Sequence, residues 1–196
     1  MAGSADNGSG RRGHLWRLAP WGIAALILLL PLVAMPFTDE VAWDRVDFAL
    51  MGVMLFGACG AFELAARMTG NKAYRAAVGV AVAAAFILVW ITLAVGIVGS
   101  EDNPANLMYG GVLAVGLLGA LLVRFRPQGM ARASIATALA QALAGLTALI
   151  TGWGSTGANW PGAIMVLTAF FAALWLLCAW LFRKASREEM SVGGAT

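Results

Sequence analysis

Few side chains in this sequence could carry acid–base or ion chemistry, because most of its residues are apolar. Asp47 lies at the start of one apolar stretch, Glu63 lies near the end of the same stretch, and Gln141 is central to another. A carboxylate inside such a stretch could carry a proton or an ion. Arg67 follows Glu63 by four residues, so an ion pair on one helix face is the competing interpretation. Asp47 is equally expected at a helix N-terminus, and Gln141 is predicted to hydrogen-bond to a neighbouring helix.

A second group of polar side chains interrupts the apolar sequence at residues 99–111, GSEDNPANLMYGG. A cluster of carboxylates and amides at this density could have a binding role. The same segment could instead be a turn followed by a helix, because Asp102 or Asn103 can cap a helix whose first position is Pro104. Both interpretations stay open on the sequence alone. The candidate binding residues of this segment are Glu101, Asp102, Asn103, Asn106 and Tyr109.

Metal and cofactor chemistry has little support in the residue types. The single histidine is His14, and Cys59 and Cys178 lie in different apolar stretches. One histidine excludes bis-histidine haem ligation within one chain, and no cysteine or acid cluster has metal-ligand spacing. The sequence also lacks a phosphate-binding P-loop, a GxSxG motif and an HExxH motif. We therefore expect no cofactor and no metal.

The composition places the chain in lipid. Of the 196 residues, 61 % are hydrophobic and 12 % are charged, whereas a soluble domain carries about 25 % charged residues. A chain of this length still has mostly surface, so the apolar excess must face lipid. The net charge of +3 comes from small basic groups at the ends of apolar stretches, which is typical of membrane proteins and not of nucleic-acid binders. The predicted partners are the lipid bilayer and, as an alternative left open, other membrane proteins or a second copy.

Six apolar segments are long enough to cross about 30 Å of hydrocarbon as helices. They predict an all-α fold, a bundle of six transmembrane helices within residues 15–184. The segment at 18–37 is long for a secretory signal and has no clear cleavage site, so an uncleaved span is expected. A disordered tail is expected at 1–14 and a second polar tail at 185–196. The predicted spans are 18–37, 46–67, 74–98, 104–124, 131–152 and 161–183.

Small residues recur within the spans at a spacing that lets helices approach closely in lipid. Gly57 and Ala61 form one such pair, and Gly110 and Ala114 form another. Together with many alanines, these pairs predict a tightly packed bundle.

The basic residues predict the orientation of the chain. With six spans, twelve of the thirteen Lys and Arg residues fall on one side of the membrane, and only Arg45 falls on the other. Basic segments stay in the cytoplasm, so both termini are expected there. With an odd number of spans, the Lys and Arg residues would be divided between the two sides, so the charge pattern also supports the count of six.

Residues 43–68, WDRVDFALMGVMLFGACGAFELAARM, and 99–133, GSEDNPANLMYGGVLAVGLLGALLVRFRPQGMARA, resemble a family of bacterial multi-span inner-membrane proteins with no known activity. The resemblance covers spans two to five. It implies a bacterial inner-membrane setting and assigns no role to individual residues.

Three classes of function remain open. An accessory, interaction or assembly protein needs only a packed bundle and an interaction face, so this hypothesis makes the fewest demands. An intramembrane enzyme would use the acids predicted on the outer side, and at least two of these carboxylates would have to converge in one cleft. A small-solute or ion transporter or channel would need a polar site, with candidates Glu63, Asp47, Gln141, Asn106 and Tyr109.

Overall fold

A computed structural model describes residues 7–38, 42–157 and 159–193, and all regular secondary structure in those ranges is helical. This confirms the predicted all-α class. A 3₁₀ turn at Pro104–Asn106 leads directly into the fourth helix. The helices are α1 Asn7–Ala34, α2 Arg45–Met68, α3 Lys72–Ala94, α4 Leu107–Leu122, α5 Pro127–Thr151 and α6 Gly162–Gly193.

Five of these elements are long and apolar enough to cross a membrane: α2, α3, the 3₁₀ turn with α4, α5 and α6. The apolar part of α1, Pro20–Ala34, is shorter. Many large apolar side chains of these helices are exposed on the surface of the protein. Soluble proteins rarely expose contiguous apolar faces of this extent, so the surface suits a bilayer.

Two helices extend into the predicted polar tails. α1 begins at Asn7, inside the tail expected to be disordered, and α6 continues to Gly193. The extension of α6 follows from its residue types, because residues 184–190, KASREEM, are mostly strong helix formers. The Gly-rich start of α1 has no comparable signal. Residues 1–6 and 194–196 of these tails lie outside the described residues.

The chain divides into two compact units, residues 1–67 and residues 68–196. The first, here called the hairpin unit, contains α1 and nearly all of α2. Trp21 of α1 stacks on Phe56 of α2, with ring centroids 5.9 Å apart. The Cys59 thiol lies 3.5 Å from the Pro20 carbonyl oxygen, to which it donates. These contacts pair α1 and α2 as antiparallel neighbours.

The second unit, here called the four-helix unit, contains α3 to α6. In it, α6 packs against α5 and α3, α5 also packs against α4, and contacts between α3 and α4 are few. Small residues allow the close approach of α4, α5 and α6. A Cβ on Gly119 would lie 2.9 Å from the Ala133 Cβ, and the Thr168 side chain fills the space beside Gly145. The packing is therefore tight on this side, as the density of small residues predicts, and an opening remains between α3 and α4.

One end of the four-helix unit joins the start of α3, the α4–α5 turn and the last turns of α6. The Tyr74 hydroxyl donates to the Phe125 carbonyl across 2.7 Å, and the Asn71 amide donates to the Ala185 carbonyl across 3.4 Å. We call this the basic end, because all eight Lys and Arg residues of the unit lie there. They are Lys72, Arg75, Arg124, Arg126, Arg132, Arg183, Lys184 and Arg187.

At the opposite end, here called the loop end, the α3–α4 loop (residues 95–106) meets the α5–α6 loop that begins at Gly152. The two loops touch back to back at Gly99 and Gly154, and both glycines have a φ of 77°. A Cβ on Gly154 would lie 2.7 Å from the Gly99 nitrogen, so no larger residue fits. The backbone of the loop end is therefore held in one arrangement.

Candidate functional site

A cleft of about 430 Å³ opens between α3 and α4 at the loop end. Its walls are mostly apolar side chains of the two helices, and the α3–α4 loop forms its rim. The volume falls within the range of small-ligand sites, which begins at about 300 Å³. Five of the candidates predicted from the sequence come together here: Glu101, Asp102, Asn103, Asn106 and Tyr109.

Asn106 is used by the loop that precedes it. Its side chain is buried, and its Oδ1 accepts hydrogen bonds from the backbone N–H groups of Ile97 and Val98, each across 2.9 Å. Its Nδ2 donates to the Ser100 carbonyl across 2.7 Å. Asn106 thus satisfies three backbone groups that no helix pairs. With these three bonds made, Asn106 has little capacity left for a ligand. α3 itself ends at Ala94 and not at the predicted residue 98, because Gly96 takes a φ of 75° and its N–H bonds back to the Ile91 carbonyl.

The rim of the cleft combines a helix cap with two unpaired carboxylates. Asn103 Oδ1 accepts a hydrogen bond from the Ala105 N–H across 3.0 Å, and Pro104 takes the first position of the 3₁₀ turn. The predicted helix start at this point is confirmed. The side chains of Glu101 and Asp102 are exposed and have no hydrogen bond or ion pair with any described residue. These two carboxylates are therefore available to a cation.

Gln141 lies on α5 in the interior of the four-helix unit and does not line the cleft. Its side chain is 0 % exposed, and neither its Oε1 nor its Nε2 has a partner within the described part of the chain. The predicted hydrogen bond from Gln141 to a neighbouring helix is therefore wrong for that part of the chain. A buried polar group without a partner costs about 1–3 kcal/mol. Gln141 thus destabilises its surroundings unless something else bonds to it.

Three more buried polar atoms of the four-helix unit have no hydrogen-bond partner among the described residues. The Thr168 hydroxyl packs beside Gly145, which lies one turn along α5 from Gln141. The Tyr109 hydroxyl lies close to the Thr168 hydroxyl, but the two do not reach hydrogen-bond geometry. The third atom is the Trp175 Nε1 on α6. Sequence reasoning missed that Thr168 of α6 packs beside Gly145 of α5. Their proximity depends on how α5 pairs with α6, which residue types alone do not reveal.

The remaining two candidates lie in the hairpin unit, and both have local partners. Asp44 Oδ1 accepts from the backbone N–H groups of Val46 and Asp47 across 2.7 Å and 3.0 Å, and Asp47 Oδ2 accepts from the Asp44 N–H across 2.9 Å. This reciprocal arrangement caps the start of α2. The predicted ion pair between Glu63 and Arg67 is confirmed, with an Oε1 to Nε distance of 2.9 Å. Neither carboxylate is therefore an isolated charge.

A second concave site lies at the basic end, between the start of α5 and the last turns of α6. Its volume is about 300 Å³, and its polar lining consists of Gln128, Arg132, Arg183, Ser186 and Arg187. Sequence reasoning used these arginines only as signals of orientation. Their convergence depends on the pairing of α5 with α6, so it was missed.

The described residues contain no group of three or more His, Cys, Asp or Glu side chains that could hold a metal ion. Two of the concave sites have distinctive polar groups: the apolar cleft has two carboxylates without a partner among the described residues, and the pocket at the basic end has three guanidinium groups. No protein-family model, curated protein or solved structure matches this chain.

Proposed function

We propose that this chain is a six-span protein of the bacterial inner membrane with both termini in the cytoplasm. α1 is the sixth span in this proposal, with its apolar part Pro20–Ala34 in the hydrocarbon core, because a sixth span places twelve of the thirteen Lys and Arg residues on one side of the membrane. The eight basic residues at one end of the four-helix unit support the orientation, because basic ends stay in the cytoplasm. The bacterial setting rests on the resemblance of residues 43–68 and 99–133.

Reporter fusions test this orientation. Fusions at the N-terminus, after Lys72 and after Arg126 should all report the cytoplasm, and a fusion after Asp102 should report the outer side. Lys72 and Arg126 on opposite faces would contradict the arrangement. An outer N-terminus with Lys72 inside would contradict only the sixth span.

The role that the geometry supports best is that of an accessory protein that binds a transmembrane helix. The observation that carries it is the small-residue pair Gly110 and Ala114 on α4, which is exposed beside the cleft, with nothing within 4 Å of a Cβ on Gly110. The space beside Gly116 and Gly119, further along α4, is already filled by the packing of the unit, since a Cβ on Gly116 would lie 3.1 Å from the Thr137 hydroxyl oxygen and one on Gly119 would lie 2.9 Å from the Ala133 Cβ. An exposed small-residue pair lets another helix approach closely in lipid. The local partners of Asp47, Glu63, Asn103 and Asn106 support the same role, because these groups serve the fold.

Site-specific photocrosslinking in membranes tests the interaction. A photoreactive residue at Ala114 should give one discrete protein adduct, and the mass of that adduct distinguishes a partner from a second copy. The matched control position is Leu143 on α5, which is also exposed to lipid at 62 %. The substitution Gly110→Leu should abolish the adduct at Ala114. Equal adducts at Ala114 and Leu143, or an adduct that persists with Gly110→Leu, would contradict the proposal.

A specific observation also favours a second candidate function, the binding or transport of an apolar cation. The cleft has apolar walls, a volume of about 430 Å³ and two unpaired carboxylates, Glu101 and Asp102, at its rim. A small apolar cation could place its apolar groups against α3 and α4 and its charge near the rim. Tyr109 lines the same cleft.

Binding of tetraphenylphosphonium to the purified full chain tests this candidate. The double substitution E101Q/D102N should weaken binding several-fold, because it removes both rim charges. The matched control E188Q/E189Q removes two carboxylates at the opposite end and should leave binding unchanged. Equal effects of the two pairs would show that the probe responds to net charge and would remove the cleft as its site.

A further inference from the structure

Three arginines converge on one pocket at the basic end without a protein partner. Arg132 on α5 and Arg183 and Arg187 on α6 line a concavity of about 300 Å³, together with Gln128 and Ser186. None of the three guanidinium groups has a hydrogen bond or an ion pair with any residue that the structure describes. Unpaired like charges repel one another, so this arrangement favours an anion between them.

The nearest acids of α6 face a different surface. Glu188 and Glu189 line the groove between α6 and α3, together with Lys72 and Lys184. No carboxylate lines the arginine pocket. The two flanks of the α6 extension thus differ in charge: acids and lysines are mixed on the α3 side, whereas the charged residues that line the pocket on the α5 side are all arginines.

The start of α5 adds to the preference for an anion. Its first position is Pro127, and its N-cap residue Arg126 provides no side-chain hydrogen bond to the first turn. The N–H groups of a first helical turn point outward and carry the positive end of the helix dipole. An oxyanion in the pocket would receive this contribution in addition to the guanidinium groups.

Exposed apolar side chains continue from the pocket along both helices. On α6, Leu176 and Trp180 precede the arginines on the same helix face, and both are more than half exposed. On α5, Leu139 and Leu143 follow Arg132 at helical spacing and are exposed to a similar extent. A ligand with a charged head in the pocket would therefore find an apolar surface for its tails, with a tryptophan at the depth that interfacial tryptophans prefer.

We propose that this pocket binds the phosphate group of an anionic phospholipid, with the acyl chains along α5 and α6. Guanidinium groups bind phosphate oxygens in a bidentate manner, and the pocket offers three of them. Gln128 and Ser186 can donate further hydrogen bonds to the headgroup. The site requires only the membrane setting of α5 and α6 and is independent of what binds at α4.

The test uses the purified full chain in neutral detergent, titrated with phosphatidylglycerol that carries a fluorescent acyl chain. Phosphatidylcholine with the same label is the neutral comparison and should bind far more weakly. Each arginine near a membrane surface contributes about fivefold to anionic-lipid affinity, so R132Q/R183Q/R187Q should weaken binding by well over tenfold. The matched control K72Q/R124Q/K184Q removes three charges of the same end that lie outside the pocket. Salt screens exposed charges at this distance from the headgroup, so the control should change affinity by no more than about twofold.

Several results would overturn the proposal. Triple-variant affinity within twofold of the parent, or an equal loss in the control, would show that the pocket is not the site. If inorganic phosphate displaces the labelled lipid at comparable concentration, the ligand is a soluble phosphate and the lipid assignment is wrong. If the triple Gln variant does not fold, R132K/R183K/R187K keeps the charge but loses bidentate geometry. Its affinity should fall severalfold, and parent-like binding would count against the guanidinium site.

Discussion

The two asparagines of the loop end and the three pocket arginines of the basic end use their polar atoms in opposite ways. At the loop end, the amides of Asn103 and Asn106 bond to backbone groups of the α3–α4 loop. At the basic end, the guanidinium groups of Arg132, Arg183 and Arg187 have no partner among the described residues. A short amide reaches the nearby backbone, whereas a long guanidinium extends away from it. A polar side chain therefore indicates a ligand only where the backbone does not already occupy it.

The difference follows from how each connection satisfies its own backbone. The α4–α5 turn closes itself, because Arg124 and Phe125 adopt positive φ values of 52° and 57°, and the Phe125 N–H bonds to the Ala120 carbonyl across 3.1 Å. Left-handed residues of this kind commonly end helices. The longer α3–α4 loop is not closed by its backbone alone, so Asn106 supplies bonds that the backbone lacks.

The largest effect should come from Asn106→Ala at the loop end. This change removes three hydrogen bonds and leaves the N–H groups of Ile97 and Val98 buried without partners, which should lower the free energy of unfolding by about 3 kcal/mol. Unfolding in detergent micelles measures it. The matched control is Asn103→Ala, which removes one cap bond and should cost about 1 kcal/mol. Equal losses from the two substitutions would remove the central role of Asn106 in this loop.

Gln141 lies between the two ends and belongs to neither pattern, since it is buried and unpartnered. Gln141→Met replaces an unsatisfied amide by an apolar side chain of similar volume, so the free energy of unfolding should rise by about 2 kcal/mol. The same unfolding measurement tests it, with Leu143→Met on the exposed face of α5 as the control. A loss of stability would show that the Gln141 amide has a partner, such as an ordered water or a ligand.

Tyr74→Phe should have a smaller effect at the basic end. The change removes one hydrogen bond, from the Tyr74 hydroxyl to the Phe125 carbonyl, and keeps the ring packed against Phe182. The expected cost is about 1 kcal/mol. Phe182→Leu, which disturbs the ring contact and keeps the hydroxyl, should cost a similar or larger amount. If Tyr74→Phe has no effect, the α4–α5 turn does not need this bond.

Helix positions were largely predictable because they depend on local hydropathy. The span predicted at 46–67 corresponds to the helix Arg45–Met68. The span predicted at 131–152 corresponds to Pro127–Thr151 and extends one residue beyond the end of that helix. The end of α3 at Ala94 was missed although Gly96 is a local signal for it: this glycine takes a φ of 75°, and its N–H bonds back to the Ile91 carbonyl. The continuation of α6 beyond residue 183 was not predicted, because the span was predicted from hydropathy and this part of the helix is charged.

The candidate sites divide along the same line. The ion pair of Glu63 with Arg67 and the cap at Asn103 could be predicted, because both join residues a few positions apart. The arginine pocket could not, because it requires that the start of α5 lies beside the last turns of α6. Arginines that indicate the orientation of the chain and arginines that line the pocket look alike in the sequence. Only the pairing of α5 with α6 distinguishes them.

The smallest effect should come from Arg183→Gln in neutral detergent. An exposed guanidinium without a protein partner contributes little to folding, so the free energy of unfolding should change by less than about 0.5 kcal/mol. Tyr74→Phe at the same end is the comparison, because its side chain does bond to the backbone. A loss of 1 kcal/mol or more from Arg183→Gln would mean that the arginine serves the fold as Asn106 does. The arginines and the asparagines would then both serve the fold, and the argument that the pocket binds an external anion would fail.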